Sequence, residues 1–457
     1  MADPGFLSIE ESGAVSWFSA RAAAVPPVEF AVAPGILVQV DPARPSDPLG
    51  WSIDGGTSAE PLASALGSPE FAPFVTELRG RGAGVYAFTA PGLTGAWPHR
   101  AVVAATARWT VRPLHRGALL LDRAVAAHGV GGTAEARRLF GHADYALREL
   151  GERCVRGELG DSAGQLVRTA FAAAGTAGIG AELADLAEQV AATAAVGDAE
   201  LLATLAAWVD AAARTRPDIL VGDDAARLSR DREPLDLTVL PPRILAWAGR
   251  NTAELRLEYH ADSDSLLLEA PLADGVDPLC REARELLGYS AELRTGTVVA
   301  VAPAVAAGRS VVAWIPARDR DPATLTLGLF DAGADLGTLR TDPMGRALAA
   351  VDRATIEAWN EQRRATALLS VAVQTDHQAG ERARLRSDEH LVAARAATAD
   401  ARRLLATLIG AAGDEAEELT ARASAVDAYA DRLWEVGPVP VSELLLVDLI
   451  PPNADPD

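Results

Sequence analysis

The sequence predicts an α+β protein of several domains: an α/β N-terminal region with a helical insert, a β-sandwich of about seven strands, and a C-terminal helical hairpin. Three observations predict it. The 457-residue length exceeds what one hydrophobic core fills, since domains run to roughly 100–200 residues. The hydrophobic period changes along the chain between the two residues of a strand and the 3.6 of a helix. Breaks rich in Gly, Pro and Asp separate the regions of different period.

Residues 1–115 carry β-rich runs at Val28–Val40, Gly84–Ala90 and Ala101–Val111, with a helix expected over Pro69–Leu78. The last run, VVAATARWTV after Arg100, reads as a central or half-buried strand. Residues 116–215 turn helical, with stretches at Ala134–Val155, Gln165–Ala174, Ala181–Ala195 and Ala199–Arg214. Residues 216–236 are charged, hold two prolines and keep no period, as a linker does.

From 237 to 333 the period becomes two, in seven short runs beginning with RILAWAG and ending with TLTLGLF. Hairpin turns are expected between Tyr259 and Leu266 and between Pro303 and Ser310, and a helix at Pro278–Leu287 interrupts the strands. Regular short strands at this spacing predict the sandwich, with Trp247 and Trp314 in or beside its core. Residues 344–436 are helical again. One long helix spans Met344–Gln374, and Glu381–Ile409 and Asp414–Val436 form a hairpin around the break at Gly410–Gly413. Leu391, Ala394, Ala401, Leu405 and Leu408 make an apolar stripe on its first arm. Residues 437–457 supply a strand at Leu444–Ile450 and an acidic tail.

Composition excludes several chemistries. All 42 basic residues are arginine, so the chain offers no P-loop lysine, no kinase lysine, no Schiff-base lysine and no Ser–Lys dyad. A formal charge of −21 disfavours binding to a nucleic-acid backbone, and none is expected. The arginine-rich run Glu381–Arg386 reads as a solvated helix face. Two cysteines, Cys154 and Cys280, support neither a disulfide framework nor a zinc site. No basic-then-apolar leader and no membrane-length apolar run is visible, so the expected setting is cytoplasmic, without a membrane.

The sharpest motif is Gly160-Asp161-Ser162-Ala163-Gly164, a G-x-S-x-G string of the kind that holds a nucleophilic serine on a strand-to-helix turn. His128-Gly129-Val130-Gly131-Gly132 and Asp277-Pro278-Leu279 accompany it. Together these strings resemble the elbow, oxyanion loop and acid turn of the hormone-sensitive-lipase-like branch of α/β-hydrolases. The resemblance implies Ser162 as nucleophile, Asp277 as its acid, and amides near Gly131 as the oxyanion hole. It covers a few short strings, and the residues around them do not supply the rest. Glu152–Leu159 is too charged and short for the buried strand an elbow needs, and the next histidine after Asp277 is His377. The alternative reading makes Asp161 or Ser162 the cap of a helix starting near Gln165. Gly129–Thr133 reads either as a phosphate cradle or as an inter-helix loop.

No two of the seven histidines stand four residues apart. Asp376-His377 and Asp388-Glu389-His390 read as solvated helix surface, His260–Asp264 as a hairpin loop, and Asp223-Asp224 as a helix cap in the linker. No metal and no cofactor is therefore expected. The sequence thus points to a non-catalytic accessory or adaptor protein of a multi-component intracellular bacterial system. Its contact with a protein partner, or with itself, is expected through 381–436 or 237–333. A serine hydrolase built on Ser162 is the alternative.

Overall fold

The computed structural model describes residues 3–452 apart from 180, 195, 215–234, 247–254, 274, 376, 412, 414 and 415. Five strands come first: β1 (Asp3–Ile9), β2 (Val15–Ser19), β3 (Val28–Ala33), β4 (Ile36–Val40) and β5 (Pro48–Ile53). Helices α1 (Glu60–Ala65) and α2 (Phe71–Arg81) lead to β6 (Gly84–Ala90), and the sheet runs β3-β4-β5-β2-β1-β6. Every neighbouring pair is antiparallel, which corrects the α/β expectation for this region. Short turns such as Pro34–Gly35 join most of these strands directly, and a parallel sheet would need long crossovers. Alternation buries Leu7, Trp17, Val38 and Trp51 on one face. Trp17 and Trp51 are register partners and stack at 6.2 Å, and Phe71 of α2 meets Trp51 edge-on at 5.2 Å.

The strand expected at Ala101–Val111 is instead a helix, α3 (Trp97–Trp109). Pro98 stands in its first turn, where the missing N–H costs nothing, and Ala101, Ala105 and Trp109 bury one face at four-residue spacing. Six helices follow: α4 (Arg116–Gly129), α5 (Thr133–His142), α6 (Asp144–Val155), α7 (Gly160–Thr176), α8 (Ala184–Ala192) and α9 (Ala199–Arg214). The stretch expected as one helix at Ala134–Val155 is two, parted at Ala143. All of the expected linker but residues 235 and 236 lies outside the described residues.

The second sheet holds β7 (Arg256–His260), β8 (Ser265–Pro271), then after the short α10 (Arg281–Arg284) come β9 (Leu286–Glu292), β10 (Val298–Ala307), β11 (Ser310–Pro316) and β12 (Leu325–Asp331). Both expected hairpins are present. The expected two-sheet sandwich of seven strands is a single antiparallel sheet of six, ordered β12-β9-β10-β11-β8-β7. It curls because β10 changes partner midway. Through Pro303 it pairs with β9, and from Ala304 it pairs with β11. A residue without an N–H marks the switch, where no ladder bond is lost. The curl brings β9 close to β11: a Cβ on Gly288 would meet that of Ala313 at 2.6 Å. Among its described residues RILAWAG contributes a bridge from Leu245 to Leu272, and Trp247 lies outside the described residues. Trp314 is not in the core; it is 51% exposed, its ring 4.8 Å from that of His260.

Asp342 caps α11 (Pro343–Ala372) by accepting from the Gly345 amide at 2.9 Å. The expected hairpin follows as α12 (His377–Ala411) and α13 (Ala416–Arg432). Its stripe is not free: Ala394, Ala401, Leu405 and Leu408 join the core of the first sheet, and Leu391 is buried too. The strand expected at Leu444–Ile450 is a short helix, α14 (Leu446–Leu449). Pro440 and Pro451 bracket the run, and all its side chains but that of Asp448 are buried in the helical core of α4–α9. α11 serves both cores. Val351, Ile356 and Trp359 enter that of the first sheet, and Ala367, Leu368 and Val371 enter the helical one.

Candidate functional site

Ser162 lies in the first turn of α7 and is fully buried. Its hydroxyl donates to Asp198 Oδ2 at 2.6 Å, and its amide donates to Asp198 Oδ1 at 2.9 Å. Asp161 in turn accepts from the amides of Val196 and Gly197. The segments that open α7 and α9 thus hold each other, a reciprocal form of helix capping. The helix begins at Gly160, ahead of Gln165, and its cap is Asp198, a residue the sequence reading did not single out. This is no elbow, because the serine sits inside a helical turn with its hydroxyl committed to a carboxylate. Asp277 is elsewhere, on an exposed turn before α10, where its carboxylate accepts from the Leu279 amide at 2.8 Å. The expected oxyanion loop is the C-terminal cap of α4. The Gly131 amide donates to His128 O at 2.9 Å and the Gly132 amide to Ala127 O at 2.8 Å. Gly131 has φ +80°, the left-handed conformation such a cap requires. Both amides are thus spent within the cap, so neither Gly131 nor Gly132 offers a free N–H to an oxyanion.

His390 corrects another expectation. Asp388 and Glu389 are exposed, but His390 is buried with Nδ1 2.5 Å from Glu361 Oε2. Glu361 Oε1 accepts from Arg364 at 2.7 Å, and Arg112 approaches to 3.5 Å. Burial pushes the Glu361 carboxyl up, but Arg364, the His390 hydrogen bond and Arg112 outweigh it and hold it at about 2. A carboxylate so firmly ionised is a poor general acid or base near neutral pH. Asp264 in the His260 loop is spent as well, accepting from Tyr259 Oη at 3.1 Å and the Asp319 amide at 3.0 Å. Asp223, Asp224 and Asp376 lie outside the described residues. Among the described residues no three His, Cys, Asp or Glu side chains converge as a metal site.

Two further buried carboxylates tie distant segments. Asp352 of α11 is 1% exposed and accepts from both Arg340 and Arg422. Asp122 of α4 accepts from the amides of Leu446 and Val447 at 2.8 and 3.0 Å. Burial pushes the Asp122 carboxyl up to about 8 against the lowering pull of those amides. In both cases the partners come from other elements, so neighbouring sequence gives no sign of the pairing.

The outer face of the first sheet has a different character. Alternation turns Phe6 and Ser8 of β1, Ser16 and Phe18 of β2, and Val85 and Ala87 of β6 away from the core. Phe6 and Phe18 are register partners, 61% and 58% exposed, and Val85 is 70% exposed. The Phe18 ring lies over Gly50, whose added Cβ would stand 3.1 Å from it. Ser52 of β5, Leu37 and Gln39 of β4 and Ala31 of β3 continue the face, and Glu29 is its one charged side chain among the described residues. At one end of the strands the turns carry exposed Glu10, Glu11 and Asp54. The sequence reading missed this face because β1, β2 and β5 were not recognised as strands. The available signal was the alternation in FLSI and VSWF on either side of the turn EESG. Compared with known families, with curated proteins and with solved structures, the chain shows no match.

Proposed function

We propose that the chain is a non-catalytic accessory protein, an adaptor in a multi-component assembly of the bacterial cytoplasm, and that it docks a protein partner through the outer face of its first sheet. The observation that supports this reading is the exposed pair Phe6 and Phe18 on a six-stranded face with a single carboxylate, in a chain of charge −21. Contiguous exposed apolar area of this kind marks interaction sites. Of the surfaces expected from sequence, the hairpin 381–436 spends its apolar stripe inside the chain.

The partner's chemistry follows from charge. Glu10, Glu11, Asp54 and Glu29 border or dot the face, so it suits an apolar patch ringed by Lys or Arg and disfavours a second acidic copy. Six strands about 4.8 Å apart and roughly 20 Å long present about 550–600 Å². With its counterpart that buries about 1,100–1,200 Å², the lower edge of a specific interface. Binding is accordingly moderate and salt-sensitive. Among the described residues no helix is long and apolar enough to cross a membrane.

The test compares the tagged full chain with its F6S/F18S variant in capture from the native host, followed by titration of the purified partner. Both residues are exposed, so circular dichroism should be unchanged. The expected result is stoichiometric binding that weakens at least tenfold in the variant and falls with salt, with hydrogen-exchange protection on β1, β2 and β6. Undiminished binding to the variant, or protection elsewhere, overturns the proposal. So does a homodimer broken by the same substitutions, which would give the face to a second copy. Labelling of Ser162 by a fluorophosphonate would return the hydrolase reading.

A further inference from the structure

Strand β6 is one edge of the first sheet, and β1 is its hydrogen-bonded neighbour. The direction of its main-chain groups follows from the ladder beside it. Pro4 O accepts from the Ala20 amide at 3.0 Å, and the Glu10 amide donates to Ala14 O at 3.0 Å. The even positions from Pro4 to Glu10 therefore point their N–H and C=O toward β2. The odd ones point to β6, where Gly5, Leu7 and Ile9 face Phe88, Tyr86 and Gly84. Alternation leaves the N–H and C=O of Val85, Ala87 and Thr89 turned outward, and among the described residues no hydrogen bond reaches them.

The other sheet edges are protected. β3, on the far side of the same sheet, is flanked by α1 and α3, carries Glu29 and shifts register between Ala31 and Ala33. In the second sheet, β7 carries Arg256 and Glu258, and β12 is buried at every position but Asp331. Charges, prolines, bulges and covering elements are what keep strand edges from pairing with other chains. β6, with the sequence GVYAFTA, has no charge, no proline and no register shift, and its side chains at Val85, Ala87 and Thr89 are exposed. Its inner side is unfinished as well. Tyr86 and Phe88 are only half-buried, and the half-buried Phe74 of α2 stacks on Phe88 at 5.2 Å.

We infer that β6 takes up an extended segment of a protein partner as a seventh strand of the sheet. Main-chain bonds to Val85, Ala87 and Thr89 hold the segment, and its alternate apolar side chains rest on Phe74, Tyr86 and Phe88. The exposed turn residues Glu10 and Glu11 follow directly on Ile9, the register partner of Gly84, so the segment that fits carries Lys or Arg at that end. The same acidity disfavours a second copy of a chain whose formal charge is −21. This pairing rests on the adaptor reading and deepens it, since it names the conformation in which the partner binds beside the apolar face.

The experiment uses the full chain, with hydrogen exchange read at single amides, and a probe peptide of alternating Val and Thr between terminal arginines. In the free chain the amides of Val85, Ala87 and Thr89 should exchange fast, between slow ones at Tyr86 and Phe88. The peptide should slow those three, and the same peptide N-methylated at every Val and Thr should not bind. A87P removes an N–H that β1 does not use and sets a ring where the added strand would lie. Edge strands tolerate proline at such positions, so ellipticity should be unchanged. Peptide affinity should fall about tenfold or more in A87P and by less than about threefold in F6S/F18S, whose main chain at β6 is intact. The inference is overturned if the three amides are already slow in the free chain, or if the peptide leaves them fast at about 1 mM. Equal binding by A87P or by the N-methylated peptide also overturns it. So does a dimer of the free chain that A87P converts to monomer, which would give the edge to a second copy. Binding lost in F6S/F18S but kept in A87P removes the added strand and leaves docking on the apolar face standing. If A87P does not fold, the exchange pattern and the N-methylated peptide decide on the wild-type chain.

Discussion

Replacing Ser162 by alanine removes one hydroxyl from the junction between α7 and α9 and leaves the backbone bond to Asp198 in place. The lost bond is short, at 2.6 Å, fully buried and made to a carboxylate. Such bonds contribute about 1.5–3 kcal/mol, and the alanine methyl fits where the serine stood. The expected cost of Ser162→Ala is therefore about 2 kcal/mol. Asp198→Ala should cost more, because it takes both bonds to Ser162 and strands a buried hydroxyl. Urea unfolding followed by helical ellipticity measures each variant, and the double variant closes a cycle. The structural role predicts a coupling of at least about 1.5 kcal/mol between the two residues. A cost under about 0.5 kcal/mol for Ser162→Ala, or additive effects of the two substitutions, would refute the cross-cap. Fluorophosphonate labelling of wild-type Ser162 would show that its hydroxyl leaves Asp198 readily enough to act as a nucleophile.

Two further outcomes follow from the buried carboxylates. Asp352→Ala leaves Arg340 and Arg422 facing each other without their shared anion and should lower unfolding stability by about 3–5 kcal/mol, checked by denaturant titration. Asp122 has a folded-state pKa of about 8, against about 3.9 in an unfolded chain. The folded state therefore holds the extra proton between those values. The stabilisation is complete below pH 4 and is lost as pH rises, at about 1.4 kcal/mol per unit, until about pH 8. Asp122→Asn should remove that slope from the pH–stability profile relative to wild type, and an unchanged slope would contradict the assignment.

Local pattern revealed the long elements best. The helix at 343–372 and the hairpin after it have stripes many turns long, and in the second sheet β8 and β11 alternate between turn residues. Short apolar runs misled. Ala101–Val111 is rich in Val, Thr and Trp, which favours a strand by propensity, yet Pro98 and the Ala101, Ala105, Trp109 repeat were already helical signals. Leu444–Ile450 is apolar at every position but Asp448 and carries no period to read. Five of the six strands of 256–331 were legible individually; the start of β9 was read as the end of a helix over Pro278–Leu287, which spans only Arg281–Arg284, and the curl at Pro303 depends on which strand pairs with which half of β10. Of the candidate site, little was visible. His390 lies among charged neighbours and reads as surface; its burial is decided by Glu361, 29 residues away. Asp352 and Arg422 are 70 residues apart, and only the folded packing of α11 against α13 brings them together.

The sharing of α11 between two cores sets a schedule for the nascent chain. The first sheet is complete in sequence at Ala90, but α11, α12 and α13, which finish covering its inner face, begin only at Pro343, about 250 residues later. At roughly 5–20 residues per second, synthesis leaves that inner face only partly covered for about 13–50 s. During this interval Trp17, Trp51 and their neighbours have α1, α2 and α3 as cover, and the apolar outer face bearing Phe6 and Phe18 is open as well. A chain arranged this way is exposed to aggregation early and secured late, so its yield should respond to translation speed and chaperone supply more strongly than its final stability would suggest.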